Sequence, residues 1–356
     1  MANGSDKGLI SAVPTINVGG QDKASLADNL LALLIVENTQ GLYRCEARFT
    51  NYGSVNGKFD FLYFDRSTLD FGKRFKVKLG TDTIFDGKIM ALEGQFPEGR
   101  SAELKILAED RFQDLRMTRR TRTFADVKDS DVISQIAGEY GLSASVDIDG
   151  PQYKVLAQVN QSDLAFLRER ARSVDAELWM DGNTLNAKSH ASRNGGKVQM
   201  AYGSKLYEFA VLADLAGQRT SVAVNGWDVA GKSGLSHEST DSTISGELNG
   251  DSSGSSILSS ALGQRKEAIA HTVPLTSSET QAIADAYFKM TARRFLVGHG
   301  VAETDSALRV GTYVDLQGLG PLFTGKYYLS EVRHRFDGAQ GIRTEFTAER
   351  PGLGKG

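Results

Sequence analysis

The chain has little cysteine, little proline and no long apolar run. Its 356 residues include one cysteine, Cys45. No disulfide can form within the chain, so the fold does not depend on an oxidising compartment. No base lies near Cys45 in sequence to activate it, and its neighbours alternate like a strand. It reads as a small buried apolar residue rather than a nucleophile. Only 6 prolines occur against 38 glycines, a balance that suits many turns between strands. The longest apolar run, residues 30–36, is far too short to span a bilayer. The N-terminal stretch MANGSDKGLISAVP lacks the charged, apolar, cleavage-site order of a secretory signal. The expectation is a chain made and assembled in the cytoplasm, with no membrane segment.

Chemistry-bearing patterns are equally scarce. The net charge of −3 favours neither nucleic acid nor an anionic membrane surface as partner. No two of His190, His237, His271, His299 and His334 fall at metal-ligand spacing, and none pairs with Cys45. The 44 carboxylates are scattered, so no acid–base pair stands out. No catalytic, cofactor or metal residue is assigned, and the chain reads as a non-enzyme.

What is present is strand pattern. YRCEARFTNYG, GKFDFLYFDRS, RFKVKLG, TIFDGKIMALEGQF and RSAELKILAED alternate apolar and polar residues, with Pro97-Glu98-Gly99 as a hairpin turn. Short strands this closely spaced suggest a barrel or sandwich. Near Phe124 the period changes. Val132, Ile133, Ile136, Ala137 and Tyr140 share one helical face, closed by Gly141. Ser162 can cap a second helix with Leu164, Leu167, Ala171 and Val174 as its stripe; AELWM and Asp181-Gly182 then read as strand and turn. Strands resume with LYEFAVLAD and RTSVAVNGWDV. A serine-rich stretch at about 233–260 has few apolar residues and reads as a mobile loop. Thr276 and Glu279 fit a capping box opening another helix, before the final strands.

Two parts of the chain match each other. Phe85-Asp-Gly87-Lys88 with Glu93 parallels Phe323-Thr-Gly325-Lys326 with Glu331, and Ala108-Glu109 parallels Ala348-Glu349. The match predicts two copies of one β-domain, 1–121 and 191–356, flanking a small α/β domain at 122–190. Two similar units per chain in a threefold ring would give six, fitting a sixfold partner on one face and a threefold partner on the other.

Two motifs have competing readings. GWDVAGKS at 226–233 fits the phosphate-loop pattern through Gly226, Gly231, Lys232 and Ser233. A strand precedes it, but the turn-forming GLSHESTDSTIS follows where a helix is needed, so nucleotide binding is the lesser alternative. Arg111, Arg116, Arg119, Arg120 and Arg122 cluster, but Asp110, Asp114 and Asp126 dilute them. That favours a plain solvated surface first, then a rim that meets an acidic protein partner, over a nucleic-acid surface. A cell-wall or glycan-binding role for 122–190 is a further alternative.

ADVKDSDVISQIAGEYGL, NQSDLAFLRERARSVDAELWMDG, NGWDVAGK and VGTYVDLQGLGPLFTGKYYLSEVRHRFDG follow in this order. Together they resemble the phage late control D family, the baseplate hub of contractile tails, and the hub half of VgrG spike proteins. The resemblance implies a β-rich α+β fold with two tube-like β-barrel domains and a homotrimer forming a pseudo-sixfold ring. It implies as partners a hexameric inner tube protein, a trimeric spike, other baseplate proteins, and DNA or protein cargo in a channel. VgrG chains continue into a spike, whereas this sequence stops at ERPGLGKG, so the spike is expected to be a separate protein. A phage tail or phage-like extracellular injection particle is then expected rather than a type VI secretion system.

Overall fold

A computed structural model describes residues 13–270 and 272–355. Residues 1–12 of the N-terminal stretch read above and His271 lie outside the described residues. Ten strands organise the molecule. The first five are β1 (Leu30–Asn38), β2 (Arg44–Thr50), β3 (Arg74–Leu79), β4 (Asp82–Gln95) and β5 (Glu103–Glu109). The second five are β6 (Leu206–Ala213), β7 (Leu296–Glu303), β8 (Tyr313–Gln317), β9 (Gly325–Asp337) and β10 (Gly341–Arg350). The first set is ordered β1-β2-β5-β4-β3 and the second β6-β7-β10-β9-β8, antiparallel throughout.

The two sets also share their irregularities. Register slips between Leu30 and Ala32 on β1, and between Leu206 and Glu208 on β6. It slips again between Ile89 and Ala91 on β4, and between Leu329 and Glu331 on β9. A bulge re-aims a strand and is costly to move, so four matching bulges mark one architecture used twice. Ala108-Glu109 and Ala348-Glu349 occupy the same places, opposite Ile89-Lys88 and Leu329-Tyr328. The FDGK and FTGK segments do not. Phe85 lies inside β4, whereas Phe323 ends the short helix Gly320–Phe323 ahead of β9. The true correspondence is two residues displaced from the sequence match. A slip of two keeps every side chain on its face, so the apolar pattern cannot reveal it.

The expected pair of closed barrels is corrected. β9 pairs with β1 from Glu331↔Asn38 to Asp337↔Ala32, which fuses both sets into one 13-stranded sheet. Its path is open: β6 pairs only with β7, and the far edge ends in the strands Thr15–Val18 and Gln21–Asp22. Among the described residues no barrel closes, because β1, which would have to close its own unit, is taken by β9.

Alternation sets the layers. Cys45, Ala47, Phe49, Leu104, Ile106 and Ala108 are buried on one face of the first unit. Phe336 of β9 belongs to that same core. The second unit has its own core around Leu296, Val314, Tyr327, Leu329, Val332 and Phe346. Gly300 has no side chain because a Cβ there would come within 2.3 Å of the Phe346 ring.

The helices and the strand read between 129 and 182 form. α1 (Asp129–Glu139) buries Val132, Ile133, Ile136 and Ala137. α2 (Asp163–Ser173) is capped by Ser162, whose Oγ accepts from the Ala165 N–H at 3.2 Å. Both pack on a three-stranded sheet, Ser143–Asp147 parallel to Thr184–Ser189, which pairs antiparallel with Ala176–Asp181. Phe112 and Leu115 join the same buried cluster.

The serine-rich stretch is also corrected: it is folded. Ser233–Thr240 pairs along its whole length with Ser221–Asp228, and that strand takes Lys266–Ile269 on its other edge. A 3₁₀ segment follows at Asp241–Glu247, then helix α3 (Gly254–Leu262). The helix α4 (Ser277–Arg293), capped by Thr276, covers the hairpin and buries Ala284 and Phe288 against Val222, Val224, Ile244 and Ile269. Few apolar residues suffice because Ile244 and Leu258 are almost wholly buried. The serines are used locally: Ser253 Oγ caps α3 and Ser239 Oγ donates to Asp285. This subdomain sits between β6 and β7, where the first unit has only a short link between β1 and β2.

Candidate functional site

The residues singled out in sequence do not assemble into a reactive centre. Gly226 to Ser233 spans the end of one strand, a turn, and the start of its hairpin partner. Lys232 holds a positive φ in that turn. The Ala230 and Gly231 N–H groups, which a phosphate would need, both donate to Asp228 Oδ1 at 2.9 Å. A carboxylate of the chain already fills the anion position, and no helix N-terminus faces it.

The arginine cluster is spent internally. Arg116 forks onto Glu109 at 2.5 and 3.0 Å, and Arg111 pairs with Asp114 at 3.2 Å. Arg119 donates to the Asn160 carbonyl at 3.0 Å. Arg120 and Arg122 both reach the buried Asp163, at 3.0 and 2.9 Å. Paired this way, the cluster offers little field to an outside anion.

Cys45 is fully buried between apolar neighbours, and burial pushes its thiol well above the usual range. His334 is buried in β9 with Nδ1 2.9 Å from Thr344 Oγ1. Burial, with Arg309 nearby, drops its pKa to about 3, so the ring is neutral. His299 lies 3.2 Å from Thr347 Oγ1, and His237 lies 3.5 Å from Asp285. Among the described residues no group of three or more His, Cys, Asp or Glu is placed to hold a metal.

One cluster escaped sequence reading. Glu177, on the strand Ala176–Asp181, accepts from Arg193 Nη1 at 2.7 Å and from Tyr328 Oη at 2.5 Å; His190 Nδ1 lies 3.0 Å away. Arg193 also donates to Tyr43 Oη at 2.9 Å and the Val310 carbonyl at 2.8 Å, and stacks over Trp179. Burial pushes the Glu177 carboxyl up, but His190 and Arg193 outweigh it and bring it to about 2. A second junction lies close by, where Arg293 forks onto Asp175 and Glu247. These residues come from the α/β unit, from both sheet units and from the inserted subdomain. With every charge satisfied by a fixed partner, the arrangement is a clamp between units. No periodicity marks such residues, because they meet only in three dimensions.

The surface with room for a partner is the polar face of the long sheet. Glu46, Arg48, Lys105, Arg333, Arg335 and Glu345 stand on it. Lys105 lies 3.1 Å from Glu46, and Arg333 lies 2.6 Å from Glu331. Charges of both signs stand on this face, and Arg333 lies directly opposite Glu345. Two strand edges along the sheet stay open, the Ala91–Gln95 half of β4 and the outer edge of β6 beyond Leu206, which bridges Tyr202.

The fold is that of phage tail proteins. It is similar to the 43 kDa tail protein of prophage MuSo2 from Shewanella oneidensis, with a TM-score of 0.70 at 12% identity, over 95% of this chain and 98% of that one. It is similar also to a tail protein from Neisseria meningitidis MC58, with a TM-score of 0.67 at 12% identity, over 96% and 97%. A third likeness is the E. coli c3393 protein, a type VI secretion component structurally similar to the T4 tail proteins gp27 and gp5. There the TM-score is 0.57 at 12% identity, over 92% of this chain and 76% of that one. No curated protein matches the sequence. The chain belongs to the Alg8 N-terminal domain family, whose model matches residues 47–337.

Proposed function

We propose that this chain is the structural baseplate hub of a contractile phage tail or phage-like extracellular injection system. Three copies form a ring of six similar β-units, which adapts a hexameric inner tube to a trimeric spike. The observation behind this is the doubled five-strand unit, with the same strand order and the same bulges, set side by side in one sheet. The names of the fold neighbours and the resemblance to late control D proteins support the same reading. In this reading the domains are 1–121 and 191–356 as ring-forming units and 122–190 as an outer spacer, clamped through Glu177 and Arg193. The mixed-charge sheet face lines the channel for DNA or protein cargo. The chain performs no chemistry; its sites are surfaces. It assembles in the cytoplasm and ends in the particle, among other baseplate proteins.

The test is native mass by light scattering across a concentration series, alone and with the co-encoded spike protein. A trimer in either setting is expected. A monomer in both overturns the hub reading.

A further inference from the structure

The matching bulges give a residue-by-residue correspondence between the units, and it exposes an asymmetry. In the first unit β1 uses both edges, one on β2 and one on β9. Its counterpart β6 uses one, on β7. In the second unit β9 is paired on its outer edge along both halves, by β8 and then by β1. Its counterpart β4 is paired there by β3 only as far as Lys88, and Ala91–Gln95 meets β5 alone. The two half-used edges are therefore the two sides of the joint that β9 and β1 make within the chain.

We propose that these edges join between chains. β4 of one copy pairs antiparallel with β6 of the next, in the register of the β9–β1 joint. This inference rests on the ring reading and adds its contact. Within the chain, Arg333 faces Val36, Arg335 faces Leu34, and Phe336 faces Leu33. Transferred through the bulges, Glu93 faces the partner's Leu212, Gln95 faces the partner's Ala210, and Phe96 faces the partner's Phe209.

Burial agrees with this transfer. Phe336 is 6% exposed and Val36 7%, both inside the existing joint. Their counterparts Phe96 and Leu212, one at each of the two unfilled edges, are 69% and 64% exposed. The β6 sequence LYEFAVLA also lacks the lysines and prolines that guard an edge meant to stay free. The proposed register sets no like charges opposite each other. Because the contact is head to tail, it repeats until the ring closes.

Disulfide trapping tests the register. The Thr39 N–H donates to the Ser330 carbonyl at 3.2 Å. That bond fixes the alternation and makes Leu34 and Arg335 a non-hydrogen-bonded pair. Such pairs bring Cα atoms to about 4.5 Å, within reach of a disulfide. The full chain carrying Gln95→Cys with Ala210→Cys is mildly oxidised and run on a non-reducing gel; Cys45 is buried and does not interfere. Glu93→Cys with Leu212→Cys is a second in-register pair, and Gln95→Cys with Glu208→Cys is offset by two residues. The expected result is covalent trimer from both in-register pairs and little from the offset pair. A trimeric mass without in-register cross-links, or with cross-links from the offset pair alone, overturns the edge assignment and leaves the ring reading standing. In-register cross-links that give only dimers or open polymers support the edge contact and overturn the threefold ring. A monomer without cross-links, even with the spike protein present, overturns both.

Discussion

At the scale of single residues, two buried groups pull the pH dependence of stability in opposite directions. Burial holds the Asp110 carboxyl up at about 7, although the N–H groups of Tyr43 and Phe112 donate to it at 2.8 and 2.9 Å. Its folded pKa lies above its unfolded one. Its contribution is therefore complete below about 4 and is lost as pH rises toward 7. His334, held near 3, has the reverse sign: its contribution is complete above about 6.5 and is lost as pH falls toward 3. Between about 4 and 6.5 the two slopes offset each other. Asp110→Asn removes one of them. Urea-unfolding midpoints of the variant should then fall as pH is lowered through this window, by up to ~1.4 kcal/mol of stability per pH unit relative to the native chain. An unchanged slope would show that Asp110 ionises normally.

At the scale of elements, the serine-rich region shows how a segment of low hydropathy can still fold. Its hairpin has one face covered by α4, and α3 is anchored by its cap and by Leu258. Gly254 begins α3 where a Cβ would come within 2.6 Å of the Phe295 ring, so the helix start is pressed against the second core. Ser253→Ala removes the acceptor for the Ser256 N–H, a bond of 3.0 Å. It should cost about 1 kcal/mol, read as a lower thermal midpoint. Protease cleavage near residues 254–262 should rise with it, while the α/β unit stays resistant. Equal cleavage in both chains would mean that the cap does not hold this helix.

At the scale of the whole molecule, the β9–β1 joint makes the two β-units one body, and the same joint between chains would make three chains one ring. Phe96→Ser separates folding from association. Its side chain is mostly exposed, at the edge of an aromatic group with Phe61 and Phe64. The monomer should keep its thermal midpoint within a few degrees. The trimer should dissociate at a concentration at least about tenfold lower for the native chain than for the variant, since an apolar anchor at an interface centre contributes ~2 kcal/mol or more. Sedimentation over a dilution series reads this directly. Equal dissociation would place the subunit contact elsewhere.

Local pattern determined much of this by itself. Period-two alternation marked the strands of both β-units, and period 3.6 with caps at Ser162 and Thr276 marked three of the helices. The Ala-Glu pair at 108–109 and 348–349 showed the repeat. These signals were legible because each depends on neighbours in the chain. Tertiary structure alone decided the rest. A displacement of two residues leaves alternation unchanged, so only strand pairing could set the register of the repeat. Whether a sheet closes depends on which distant strand takes each free edge, and β9 took β1. The Glu177–Arg193 clamp and the folded serine-rich subdomain depend on partners brought from far along the chain, and no pattern of spacing records such partners.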